Sequence, residues 1–219
     1  EKNQAAVKEY RTETTQILDH TSNSITGFKA TLIQRTDEHG NVSKTIAIAG
    51  TDGLSAVNDL LAGTYLIDKN VPVGQFKVMT EFVDRLIAEG KISPDDDLTV
   101  TAHSLGGTEA QIITAVYPNY VDRAYTLNSP GAADLVKMPN IQQQTGWGAA
   151  TVHHYNNFFK NRDKVGDKIV NIQAAQGYSF IANMNEDIGT AFKVPGSTHA
   201  AQDLYSILVA LDKAGIRTQ

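Results

Sequence analysis

The sequence predicts an α/β fold: a central sheet flanked by helices, with a helix and a hairpin at the N-terminal side. Three observations carry the prediction. Leu98 to Gly107 reads as a strand, a sharp turn of small residues and a helix start in direct succession. Short strand-like runs alternate along the chain with longer stretches of helical periodicity. Two early strand-like runs are joined by the compact turn Glu38-His-Gly-Asn41, which marks an antiparallel hairpin.

The elements follow in order. Residues 2–20 read as a helix, with Val7, Tyr10, Thr14, Ile17 and Leu18 on one face. Phe28–Ile33 and Val42–Ala49 are the hairpin strands, the second ending in Gly50 and Thr51. The segment 54–67 is apolar on more than one face and reads as a core helix, with a cover over an apolar pocket as the alternative. Residues 75–89 form an amphipathic helix closed by Gly90. Ser93–Asp97 is a solvated acidic turn, since the spacing of a calcium loop is absent. A strand over 98–102 feeds a helix over 105–117, followed by a strand over 123–128. The stretch 132–149, which holds Trp147, is an irregular excursion near the site. Ala150–Tyr155 reads as a strand, which would point His153 and His154 to opposite faces as structural residues. Lys168–Gln173 reads as an edge strand, and 176–195 as loop. A C-terminal helix carries Leu204, Tyr205, Leu208 and Leu211.

At 219 residues, with 41% hydrophobic and 20% charged residues, the chain fits one globular domain spanning 1–219. The chain does not begin with Met and shows no leader pattern, as for a mature form or a domain cut from a longer chain. A net charge of −5 without a basic stripe argues against nucleic acid as a partner. The absence of cysteine excludes disulfides, thiolate metal sites and a cysteine nucleophile. No apolar run is long enough to span a bilayer. The histidines show no metal-ligand spacing, so neither a metal nor another cofactor is expected.

Ser104 is the candidate nucleophile. A strand turning straight into a helix forces the residue between them into a strained conformation and holds its side chain clear of the sheet. Small residues two before and two after it avoid clashes, and here these are Ala102 and Gly106. The helix that follows presents free N–H groups and its positive dipole end to an oxygen that gains charge during acyl transfer. The Leu105 N–H is the expected first donor to that oxygen; Thr51, at the end of an apolar strand, is the candidate second donor, with a helix N-cap at a plain strand exit as the alternative. A serine hydroxyl needs a base, and the base an orienting acid. Sites of this strand–turn–helix type carry them in the chain order serine, acid, histidine. His199 is the leading base and Asp163 the leading acid, with Asp134, Asp167 and Asp187 as competitors.

Ile48-Ala-Gly-Thr51, Asn58-Asp-Leu60, Thr101-Ala-His-Ser-Leu-Gly-Gly107, Asn128-Ser-Pro-Gly131, Asp163-x-Val165 and His199 together resemble the fungal-type (class three) lipase family. The likeness runs from the hairpin to the last helix. The chain differs in having Ala49 where that family usually has Arg, and Ala102 for glycine. The resemblance implies an α/β-hydrolase fold with a central, mostly parallel (mixed) sheet, and a serine hydrolase of acyl esters. It assigns Ser104, Asp163 and His199 to the triad and Thr51 and Leu105 to the oxyanion hole, with a lid after Thr51. Lipid esters, met at a membrane or micelle surface, are the implied substrates, in a secreted or extracytoplasmic setting. An esterase or thioesterase of small soluble substrates and a non-catalytic binding domain are the alternatives.

Overall fold

A computed structural model describes residues 13–50, 68–175 and 184–194. Among the described residues, seven strands form one sheet and lie side by side in chain order: β1 (Thr14–Ser22), β2 (Lys29–Thr36), β3 (Val42–Ile48), β4 (Leu98–His103), β5 (Arg123–Leu127), β6 (Ile169–Ala174) and β7 (Thr190–Val194). The first three are antiparallel, and β3 to β7 run parallel. The described helices are α1 (Val73–Ala88), α2 (Gly106–Val116), the short α3 (Ile141–Thr145) and α4 (Ala149–Asn161). This is the expected mostly parallel (mixed) sheet with flanking helices, with the hairpin of β2 and β3 on its N-terminal side.

Strand order explains where the helices lie. Each parallel crossover steps one strand in the same direction, and right-handed crossovers then place every connecting helix on one face. The register confirms this. Leu32, Ile46, Val100, Ala124 and Ile169 are paired across the strands, so they share a face, and all are fully buried. The helices supply the other half of this core through Phe76, Met79, Phe82, Val83 and Leu86 of α1, the whole of α2, and Tyr155 and Phe158 of α4. The opposite face carries Thr31, Thr45, Thr99, Tyr125 and Val170, all half-buried, and no described helix packs there.

The expected 75–89 helix is α1. It ends where glycine permits: Gly90 has φ +65°, and the Gly90 and Lys91 amides bond back to the Ile87 and Leu86 carbonyls. The acidic turn before β4 is built around Asp96, which accepts from the Ser93 amide and pairs with Lys44 at 2.8 Å.

Four expectations change. Residues 14–20 are not helical: they belong to β1, paired along its length with β2 and bulged between Ile17 and Asp19. Residues 150–155 are not a strand but the first half of α4. Thr151, Tyr155 and Phe158 are its buried residues at i, i+4 and i+7, and the Tyr155 ring meets Phe76 at 5.8 Å and Trp147 at 5.7 Å. β6 is internal rather than an edge, because β7 forms within the stretch expected to be loop. Residues 2–12, the 54–67 segment and the C-terminal helix lie outside the described residues.

Candidate active site

Ser104 directly follows β4, with Leu105 between it and the first residue of α2. Its φ is +54°, in the left-handed region that a non-glycine residue seldom enters. Strand and helix dictate that value: the strand ladder is carried one step further by the Ser104 N–H donating to the Leu127 carbonyl at 2.9 Å, while the Ser104 carbonyl already accepts from Gly107 at 2.9 Å as the first helical bond. One residue thus closes the sheet with its amide and opens the helix with its carbonyl. Ser104 itself is buried, 5% exposed.

The tight bend needs its small residues. A Cβ added to Gly106 would lie 2.8 Å from the Ala49 carbonyl oxygen, so the start of α2 fits against the end of β3 only without a side chain. At Gly50 an added Cβ would lie 2.6 Å from the His103 carbonyl oxygen, so the neighbouring strand ends press together there too. Both contacts are with backbone and cannot be relieved by a rotamer change.

The first helical bonds of α2 lie just past Leu105. Gly107 and Thr108 make the first bonds inside the turn, to Ser104 and Leu105. The Leu105 N–H precedes them and stands at the open, positive end of the helix. The Leu105 side chain is buried, which fixes the backbone carrying that N–H.

The other expected site residues are placed unevenly. Thr51 and His199 lie outside the described residues. β7, however, is parallel to β4 and ends at Val194, so the chain leaves β7 on the same sheet edge as Ser104. Asp163 is not brought to Ser104. It sits in a 3-10 turn, Arg162–Lys164, between α4 and the start of β6. Ile169, the first residue of β6, is level with Ala124 and Val100, and about 13 Å of strand separate that level from Ser104. The Asp163 side chain is 80% exposed, 3.6 Å from Arg162. Asp167 shares this edge, in the turn Gly166–Lys168 whose Lys168 caps the Pro118 and Val121 carbonyls.

Asp134 and Asp187 stand elsewhere. Asp134, in the segment after β5, pairs with Lys69 at 2.7 Å and accepts from the Glu186 amide. Asp187 lies in the connection from β6 to β7. Its two oxygens accept from Gln111 of α2 at 3.1 Å and Gln173 of β6 at 2.7 Å. Burial pushes its carboxyl up to about 6, against the opposing pull of the Gln111 amide. Gln111 is a residue that motif reading passes over. It also accepts from the Ala132 and Ile188 amides, so one buried side chain ties α2 to two loops.

His154 is structural, as expected, but from a helix. Its Nε2 lies 2.9 Å from Asp84 of α1, whose other oxygen accepts from Tyr117. Among the described residues no cluster of three metal-ligating side chains occurs, and no described helix is long and apolar enough to cross a membrane.

No family model matches the chain, and no curated protein matches it in sequence. Solved structures do resemble it. A protein described as a predicted CIB-like hydrolase from Thermoplasma acidophilum is 14% identical, with 93% of this chain and 99% of that one covered and a TM-score of 0.49. The fluorophosphonate-binding serine hydrolase F of Staphylococcus aureus is 11% identical over 94% of this chain and 99% of its own, with a TM-score of 0.41. S-formylglutathione hydrolase of the same organism is 13% identical over 95% and 87%, with a TM-score of 0.37.

Proposed function

We propose that the chain is a serine hydrolase of carboxylic esters, with Ser104 as nucleophile. The observation that carries this reading is the left-handed Ser104 between β4 and α2, at +54°. Strain of this kind persists only where the surroundings impose it, and it clusters at reactive positions. In the proposed cycle the Ser104 oxygen attacks the ester carbonyl while His199 accepts its proton and then returns it to the leaving alcohol. The Leu105 and Thr51 N–H groups bind the oxyanion. Water, activated by His199, then releases the acid from the acyl-enzyme. The resemblance assigns the orienting acid to Asp163. Its exposed position at the start of β6 favours another carboxylate in that role. Lipid esters are the proposed substrates on the same resemblance, and small soluble esters the alternative.

The test is labelling with a fluorophosphonate probe, paired with turnover of a chain-length series of esters. Labelling at Ser104, lost with turnover in a folded Ser104→Ala variant, is the expected result. A folded wild type that neither labels nor hydrolyses any of the esters would leave a non-catalytic binding domain. Preference for long chains, with a gain on aggregated substrate, would support lipid esters over soluble ones.

A further inference from the structure

Ser104 is not alone in its backbone strain. Asn128, the residue directly after β5, has φ +46° and is fully buried. Ser104 and Asn128 thus follow the ends of neighbouring parallel strands, and the two are linked by one peptide: the Leu127 carbonyl that receives the Ser104 N–H belongs to the peptide whose nitrogen is that of Asn128. That nitrogen donates to the Ile172 carbonyl at 2.8 Å, and the Asn128 Oδ1 accepts from the Ala174 amide at 2.7 Å. Asn128 therefore holds the end of β5 to β6 with both its backbone and its side chain.

The turn at Asn128 also directs the next residues along α2. A Cβ on Gly107 would lie 2.1 Å from the Ser129 Cβ, so Ser129 rests directly on the first turn of that helix. Thr108 donates to the Pro130 carbonyl at 2.9 Å, and the Ala132 amide donates to Gln111 at 3.1 Å. Residues 128–132 form a brace that touches the nucleophile's helix at 107, 108 and 111 and its amide through Leu127.

The geometry points to Asn128 as a positioning residue for Ser104. Its left-handed turn and its bond to Ala174 fix the Leu127 carbonyl, and that carbonyl sets the height at which the Ser104 hydroxyl leaves the sheet. Asparagine suits the position because it tolerates the left-handed region and its short amide can reach a neighbouring backbone. The inference rests on the proposed role of Ser104.

Two variants test it. Asn128→Gly keeps the backbone conformation and deletes the bond to Ala174. Asn128→Ala loses both. Each is expected to lower kcat on a small ester, and the rate of fluorophosphonate labelling, by roughly tenfold to 100-fold, because displacements near 1 Å carry costs of that size. KM stays within about twofold, since the brace does not touch substrate. Wild-type kcat and labelling in folded Asn128→Gly would overturn the inference, whether or not Asn128→Ala folds. If the wild type itself neither labels nor hydrolyses, the hydrolase reading fails separately. Hydrogen exchange at the Ser104 amide then decides. Exchange about tenfold faster in Asn128→Gly supports the positioning role, and an unchanged rate overturns it.

Discussion

Asp19→Asn is expected to weaken the fold by about 2 kcal/mol at neutral pH. Asp19 lies just past the bulge of β1 and is almost wholly enclosed, its side chain 7% exposed. It accepts two bonds from Arg85, at 2.6 and 2.9 Å, and one from Lys91 at 2.6 Å. These contacts tie the outermost strand to the end of α1 and its cap. The Arg85 bonds, with help from Lys91 and against the cost of burial, hold the Asp19 carboxyl well below the usual carboxylate range. Breaking a fully buried pair costs about 3–5 kcal/mol. Arg85 is 41% exposed and Lys91 33%, so both cations regain water when the carboxylate is lost, and the smaller figure applies. Because the folded pKa is depressed, the stabilisation is complete above the unfolded value of 3.8 and is lost progressively as pH falls below it. Urea unfolding of wild type and variant at pH 7, and at steps from pH 4 to 2, measures both effects. A variant within about 0.5 kcal/mol of wild type at pH 7, or a deficit that does not shrink below pH 4, would refute the reasoning.

Other outcomes follow from the same geometry. Gly107→Ala should cost about 1–3 kcal/mol and slow labelling of Ser104, since its Cβ collides with Ser129; the urea midpoint and labelling rate measure both. Asp163→Asn should leave ester turnover within about twofold of wild type, because that side chain is solvated at the far edge of the sheet. Asp187 has a raised folded pKa, so its folded form holds a proton that its unfolded form has already released between pH 4 and 6. Stability of the wild type should therefore fall by roughly 2 kcal/mol, relative to Asp187→Asn, as pH rises through that window, read from paired urea titrations.

The parts legible in the sequence were those under a single strong constraint. The bend at Ser104 needs small residues at fixed offsets, and α1 needs one apolar stripe and a terminal glycine. Both appear in the pattern and in the structure. β1 resembles a helix in sequence because an edge strand buries little: Thr14 to Ile17 are all exposed, which leaves no inward–outward alternation and lets a helical spacing fit equally well. The start of α4 resembles a strand in sequence because Thr-Val-His-His-Tyr favours strands locally. Its long-range partner Phe76 decides the matter, and no local window contains it. The distance of Asp163 from Ser104 has the same origin. Counted along the chain it follows an apparent strand, whereas a helix delivers it to the opposite edge. Asn128 is visible in the sequence as the first residue of Asn-Ser-Pro-Gly, a turn signal that enters the resemblance without a role of its own.

The positive φ at Ser104 also limits what chemistry this position can acquire by substitution. Threonine offers the same hydroxyl, but a side chain branched at Cβ is a true outlier in that conformation. Serine and the equally unbranched cysteine are compatible with the turn, while threonine would be strained there. The backbone therefore selects among nucleophiles before reactivity is considered: an oxygen or a sulfur on an unbranched carbon is admitted, and a secondary alcohol is shut out.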